Sequence, residues 1–140
     1  MEMFPGMAVL SSDAALGSVR VLVADDRPAY RSALVTALEV VPDVEVVGVV
    51  ESAEGACRAA VRLRPDVVLL DLSAPGTSDL DATARIRRAA PLTNVVVMTA
   101  SDGPSFVRSA IAAGATAYVT KEAPLEDVVG VVLFAAERGA

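Results

Sequence analysis

At 140 residues the chain is long enough for one domain with a real core, and no apolar run approaches the roughly 18 residues of a membrane span. Its net charge of −6 argues against nucleic-acid binding by this chain itself. Histidine is absent, which excludes Ser-His-Asp and Cys-His nucleophile systems and any histidine-containing zinc site, so phosphohistidine chemistry would have to come from another protein.

Residues 1–18 lack a basic start followed by an apolar block, so they are not a secretory signal; a flexible leader is expected there, ahead of a domain over 19–139. Arg20-Val21-Leu22-Val23-Ala24 predicts the first strand, ending at Asp25-Asp26. Pro28 suits a helix's first turn, and Tyr30, Ala33, Leu34, Ala37, Leu38 and Val41 recur at helical spacing as one apolar face. Val44 to Val50 predicts the second strand, with Gly48 inside it. Ser52 offers a cap for the second helix, whose buried side is expected to be Ala53, Ala56, Cys57, Ala60 and Val61. Cys57 reads as a packed core thiol; as the lone cysteine it rules out an internal disulfide and fits a reducing cytoplasm.

After Pro65, Val67-Val68-Leu69-Leu70-Asp71 predicts a strand buried on both faces, the habit of parallel sheets, with the Pro75-Gly76 turn closing it. Ser78-Asp79-Leu80-Asp81 resembles a capping box and predicts a third helix to about Ala90. Asn94 to Thr99 is the fourth strand. Asp102, Gly103 and Pro104 open a fourth helix that Gly114 closes. Ala117 to Thr120 is the fifth strand, followed by Lys121. Pro124 starts a fifth helix with a stripe of Leu125, Val128, Val129, Val132, Leu133 and Ala136. Five strands alternating with five helices predict an α/β fold, a parallel sheet with helices on both faces.

The carboxyl ends of these strands carry Asp25 and Asp26, Asp71, Thr99 and Lys121. Open α/β sheets bind ligands at that edge. Three converging carboxylates would repel one another unless a cation intervened, and an oxygen-rich site suits Mg2+. Thr99 and Lys121 are donors for an incoming phosphoryl group, which points to its transfer onto Asp71. Taken singly, each feature also has a structural explanation: an acidic pair stabilises a helix start, an Asp caps a loop, and a Lys is solvated.

Together these residues resemble the receiver domain of two-component response regulators, over about Val19 to Gly139. Asp25-Asp26, Asp71 in VVLLDL, Pro75-Gly76, Thr99 in VVVMTA and Lys121 in AYVTK carry the resemblance; DDRPAYRSAL is similar to the opening of the NarL/FixJ subfamily. It implies a flavodoxin-like (βα)5 three-layer sandwich with strand order 2-1-3-4-5. It implies Asp71 as phosphoacceptor for a sensor histidine kinase, with Mg2+ on Asp26, Asp71 and the Ser73 carbonyl, and with Asp25 acting through a metal-bound water. Thr99 and Lys121 would contact the phosphoryl oxygens, and Tyr118 would be the switch aromatic. Members of the subfamily usually carry a helix-turn-helix further on, so the chain is expected to be either a stand-alone receiver or, as the resemblance favours, a piece of a transcription regulator.

Ala74, Asp79 and Glu122 depart from the family pattern without removing a phosphorylation residue. A flavodoxin-like cofactor binder would need a phosphate loop where Asp25-Asp26 stand, and no glycine-rich P-loop is present. A haloacid-dehalogenase-type phosphatase would need Asp where Ser73 stands. The remaining alternative is a pseudo-receiver, an interaction module independent of phosphorylation. On the fifth helix, Val131 and Phe134 are expected on a second, exposed face between Asp127 and Arg138, a candidate homodimer surface.

Overall fold

The computed structural model describes residues 18–72, 77–99 and 104–138, without the side chains of 77–80 and 104. The expected leader over 1–18 and the residues Ser73, Ala74 and Pro75-Gly76 lie outside this description, Ser18 apart, as does the side chain of Asp79. Strands β1 (Val19–Ala24), β2 (Val44–Val50), β3 (Val67–Leu72), β4 (Asn94–Thr99) and β5 (Ala117–Thr120) form one parallel sheet in the order β2-β1-β3-β4-β5. Between them run α1 (Pro28–Glu39), α2 (Ala53–Leu63), α3 (Thr77–Ala89) and α4 (Pro104–Ala112), with α5 (Leu125–Arg138) last.

Alternation along the strands builds two cores. Val21, Val23, Val67, Leu69, Val96 and Met98 face one way, against Leu34 and Leu38 of α1 and Val128, Val132 and Ala135 of α5. Leu22, Val68, Leu70, Leu72, Val95 and Val97 face the other, against Ala56 and Ala60 of α2 and Ala82 and Ile86 of α3. The helices on that second face present mainly alanine, which lets them lie close to a sheet of larger side chains. This is the flavodoxin-like three-layer sandwich with the expected order.

Local rules explain the joints. Ser52 accepts the Gly55 N–H at 3.0 Å and caps α2. Gly114, at φ 106°, closes α4 as expected. Gly48 sits where β2 gains a residue against β1: Val21 faces Val46, Leu22 faces Gly48, and Val47 is left over. A β-carbon at Gly48 would fall 2.9 Å from Leu63 Cδ1, so a larger residue would require the Leu63 side chain to move aside.

Several boundary and face expectations shift. α3 begins at Thr77, which puts Ser78 inside the helix rather than at its cap. Ala33 is exposed, and Val35 takes a place at the edge of the α1 face. Val61 is exposed, and Ala59 turns to the sheet beside the expected Ala60 in its stead. Val131 is half-buried against the α1–α5 core rather than on an exposed second face, since it stands three residues after Val128 and four before Ala135, both fully buried.

Candidate functional site

Four strand ends meet at one edge of the sheet, and backbone hydrogen bonds fix the residues just beyond them. The Asp25 N–H donates to the Val50 carbonyl at 3.1 Å, and the Lys121 N–H to the Thr99 carbonyl at 2.9 Å. Leu72, next to Asp71, is in register with Thr99, and Thr99 with Thr120. Asp25, Asp71, Thr99 and Lys121 are thus placed by the sheet ladder rather than by loops.

Asp25 is buried, and its Oδ1 accepts the Arg27 N–H at 2.7 Å, turning the chain into α1 where Pro28 takes the first position. Arg31 reaches back from α1 to donate to the Asp25 carbonyl at 2.7 Å. The other oxygen, Asp25 Oδ2, lies 3.1 Å from Lys121 Nζ, and Asp71 Oδ2 lies 2.9 Å from the same nitrogen. These are charge contacts without hydrogen-bond alignment: both Asp71 oxygens, Asp25 Oδ2 and Lys121 Nζ are buried with no aligned partner among the described residues.

Asp26 is exposed beside them, and one oxygen each from Asp25, Asp26 and Asp71 fall within 4.8 Å of one another. A crevice of about 180 Å³ opens here, lined by the three aspartates together with Glu51, Ser52 and Ala53. Burial pushes the Asp71 carboxyl above the usual carboxylate range; contact with Lys121 opposes the rise, and the charges of Asp25 and Asp26 add to it. Three carboxylates against one ammonium leave negative charge uncompensated, and the donors are all oxygen. That set fits a hard divalent cation of the Mg2+ kind.

The structure therefore brings Asp25, Asp26, Asp71 and Lys121 together, with Thr99 buried on the neighbouring strand end. Tyr118 is on β5 and 39% exposed; Phe134 on α5 is 51% exposed, with the Arg138 guanidinium 5.6 Å from its ring centroid. Two residues of the site were not read from sequence. Glu51 joins the crevice because β2 lies beside β1, and its position just after a strand was the available signal. Tyr30 was read only as part of a helix face, yet its ring centroid is 4.7 Å from Lys121 Nζ. Lys121 is also the only lysine of the chain.

Residues 21–133 match the response regulator receiver domain family. Response regulator GacA of Pseudomonas aeruginosa is 36% identical over 122 residues, covering 86% of this chain and 57% of GacA. The transcriptional regulatory protein LiaR of Bacillus subtilis is 34% identical over 121 residues, covering 86% and 57%. Among solved structures, the signal receiver domain of the response regulator NarL from Mycobacterium tuberculosis superposes with a TM-score of 0.79 at 34% identity, covering 86% of this chain and 97% of that one. The chain spans about half the length of the curated relatives it matches. A crevice of strand-end aspartates joined by one lysine, on this strand order and with this matched span, shows that the chain belongs to the response regulator receiver domain family, among its NarL/FixJ-type members.

Proposed function

We propose that residues 19–139 act as a phosphoacceptor, taking a phosphoryl group from a partner histidine kinase onto Asp71. One observation carries the reading: Asp71 Oδ2, at the end of the central strand in an acidic crevice, is 2.9 Å from the Lys121 ammonium. An Asp71 oxygen attacks phosphorus as the N–P bond of the donor phosphohistidine breaks. The bonding pair returns to the imidazole nitrogen, and the product is an aspartyl phosphate. Asp25, Asp26 and Asp71, with the Ser73 carbonyl, are the residues that would hold Mg2+. When bound, that ion supplies positive charge that lets a phosphate approach carboxylates.

Lys121, already paired with Asp71, follows the phosphoryl oxygens, and the Thr99 hydroxyl joins it. The added charge of about −1.5 to −2 draws Thr99 inward, and Tyr118, exposed on β5, turns toward the space that is freed. That movement remodels the α4–β5–α5 surface, biasing an existing two-state equilibrium. A homodimer through a surface including α5, or a DNA-binding domain in the remainder of a longer regulator, would read it.

The test is acetyl phosphate or beryllofluoride with Mg2+, read by intact mass and by binding. A single phosphoryl adduct is expected on the wild type and none on Asp71→Asn. Asp26→Ala should weaken Mg2+ binding at least about tenfold. Undiminished labelling of Asp71→Asn would refute the acceptor assignment. A wild type that takes neither probe would be a pseudo-receiver, an interaction module independent of phosphorylation.

A further inference from the structure

The Lys121 ammonium touches three groups: Asp71 Oδ2 at 2.9 Å, Asp25 Oδ2 at 3.1 Å and the Tyr30 ring, with its centroid at 4.7 Å. A lysine head on a four-carbon stem has many rotamers and a strongly hydrated charge. Two carboxylate oxygens fix its distance from the crevice but leave its stem free to swing. An aromatic face within about 6 Å of a cation adds attraction through the ring quadrupole, and the effect grows where water is excluded. Here water is excluded, because Lys121 Nζ is buried.

Tyr30 is firmly placed to act. It is the third residue of α1 and packs against the α1–α5 core. The start of α1 is tied to the site twice, by Arg27 N–H to Asp25 Oδ1 and by Arg31 to the Asp25 carbonyl. Its hydroxyl is buried with no partner among the described residues. With no hydrogen bond from that hydroxyl, the contact Tyr30 offers Lys121 is the ring face.

We propose that Tyr30 is a positioning residue for Lys121: its ring face holds the ammonium beside the Asp25–Asp71 pair, so that the lysine is in place when the phosphoryl group arrives. The proposal rests on the phosphoacceptor reading above. The ring carries the effect and the hydroxyl does not. Without the ring, the lysine stem samples other rotamers and fewer transfer attempts find it paired to Asp71.

Two measurements on the full chain test this. Because Lys121 is the only lysine, 13C-lysine labelling gives a single lysine spin system whose Cε–Hε resonance reports on the head group, with no phosphodonor required. An upfield ring-current shift is expected in wild type and Tyr30→Phe, and its loss in Tyr30→Leu. The second measurement is the rate of phosphorylation by acetyl phosphate at saturating Mg2+. Tyr30→Leu should be about fivefold to thirtyfold slower than wild type, and Tyr30→Phe within about twofold of it. Tyr30→Met, which fills similar space without an aromatic face, should match Tyr30→Leu and replaces it if that variant does not fold. An unshifted resonance in wild type, a Tyr30→Leu or Tyr30→Met rate equal to wild type, or a Tyr30→Phe chain behaving like Tyr30→Leu would each overturn the proposal. Failure of the wild type to accept a phosphoryl group would refute the acceptor reading instead, while the resonance would still judge the contact.

Discussion

Asp25 divides its two oxygens between folding and the crevice: Oδ1 starts α1 by taking the Arg27 N–H, and Oδ2 meets Lys121. Asp71 has no such anchor among the described residues, and its ionised form is disfavoured by burial and by the neighbouring acids. A raised carboxyl pKa costs stability only where the group must ionise in the fold. The cost is absent below the ordinary carboxylate range, where folded and unfolded chains are both protonated, and complete once pH exceeds the raised folded value. Asp71→Asn in metal-free buffer should therefore stabilise the fold at neutral pH, by about 1 kcal/mol. The gain should vanish near about pH 3. Urea melts of both proteins at the two pH values check this, and an equal gap at both would contradict it. These acids were legible in sequence because each follows a strand run. The partnership of Tyr30 with Lys121 was not, since residues on α1 and after β5 meet only once α1 and α5 share one face of the sheet.

At the scale of elements, the end of α2 shows how a tertiary contact completes what local sequence starts. Pro65 disfavours a right-handed turn at Arg64, which favours a helix end there. Arg64 adopts the left-handed conformation at φ 50°, where a β-carbon is unwelcome. The Arg20 guanidinium, from β1, caps the freed carbonyls of Leu63 and Arg64 at 2.9 and 2.8 Å. Arg64→Gly should stabilise the protein by about 0.5–1 kcal/mol, and Arg20→Ala should cost about 1–2 kcal/mol. Chemical denaturation measures both, and a destabilised Arg64→Gly would mean that the Arg64 side chain holds something in the folded state. The stop at Pro65 was readable from sequence; the left-handed residue before it was not, because a cap supplied from a distant strand leaves no local trace. Val61 and Val131 were misplaced for a related reason. Helical spacing gives the width of an apolar stripe, whereas the neighbouring sheet decides which edge of the stripe is covered.

For the molecule as a whole, the layering was legible because β1, β3 and β4 are covered on both faces and so read as near-continuous apolar runs. The edge strands are different. β2 and β5 are half-covered, β5 leaves Tyr118 exposed, and α5 leaves Phe134 exposed. If association proceeds through a surface including α5, beryllofluoride with Mg2+ should strengthen it in wild type and not in Phe134→Asp. Sedimentation of the four samples decides the matter, and an unchanged monomer–dimer balance throughout would assign the output to another protein or domain.

The solitary lysine also gives the chain a singular vulnerability. A protease that cuts only after lysine has one bond to attack, Lys121–Glu122, and the side chain it must capture is 10% exposed and held between two carboxylates. Cleavage there requires the segment between β5 and α5 to open, and would separate α5 from the sheet it covers. Digestion speed thus counts the openings of this one segment, and any ligand that tightens the crevice registers as a longer-lived intact chain.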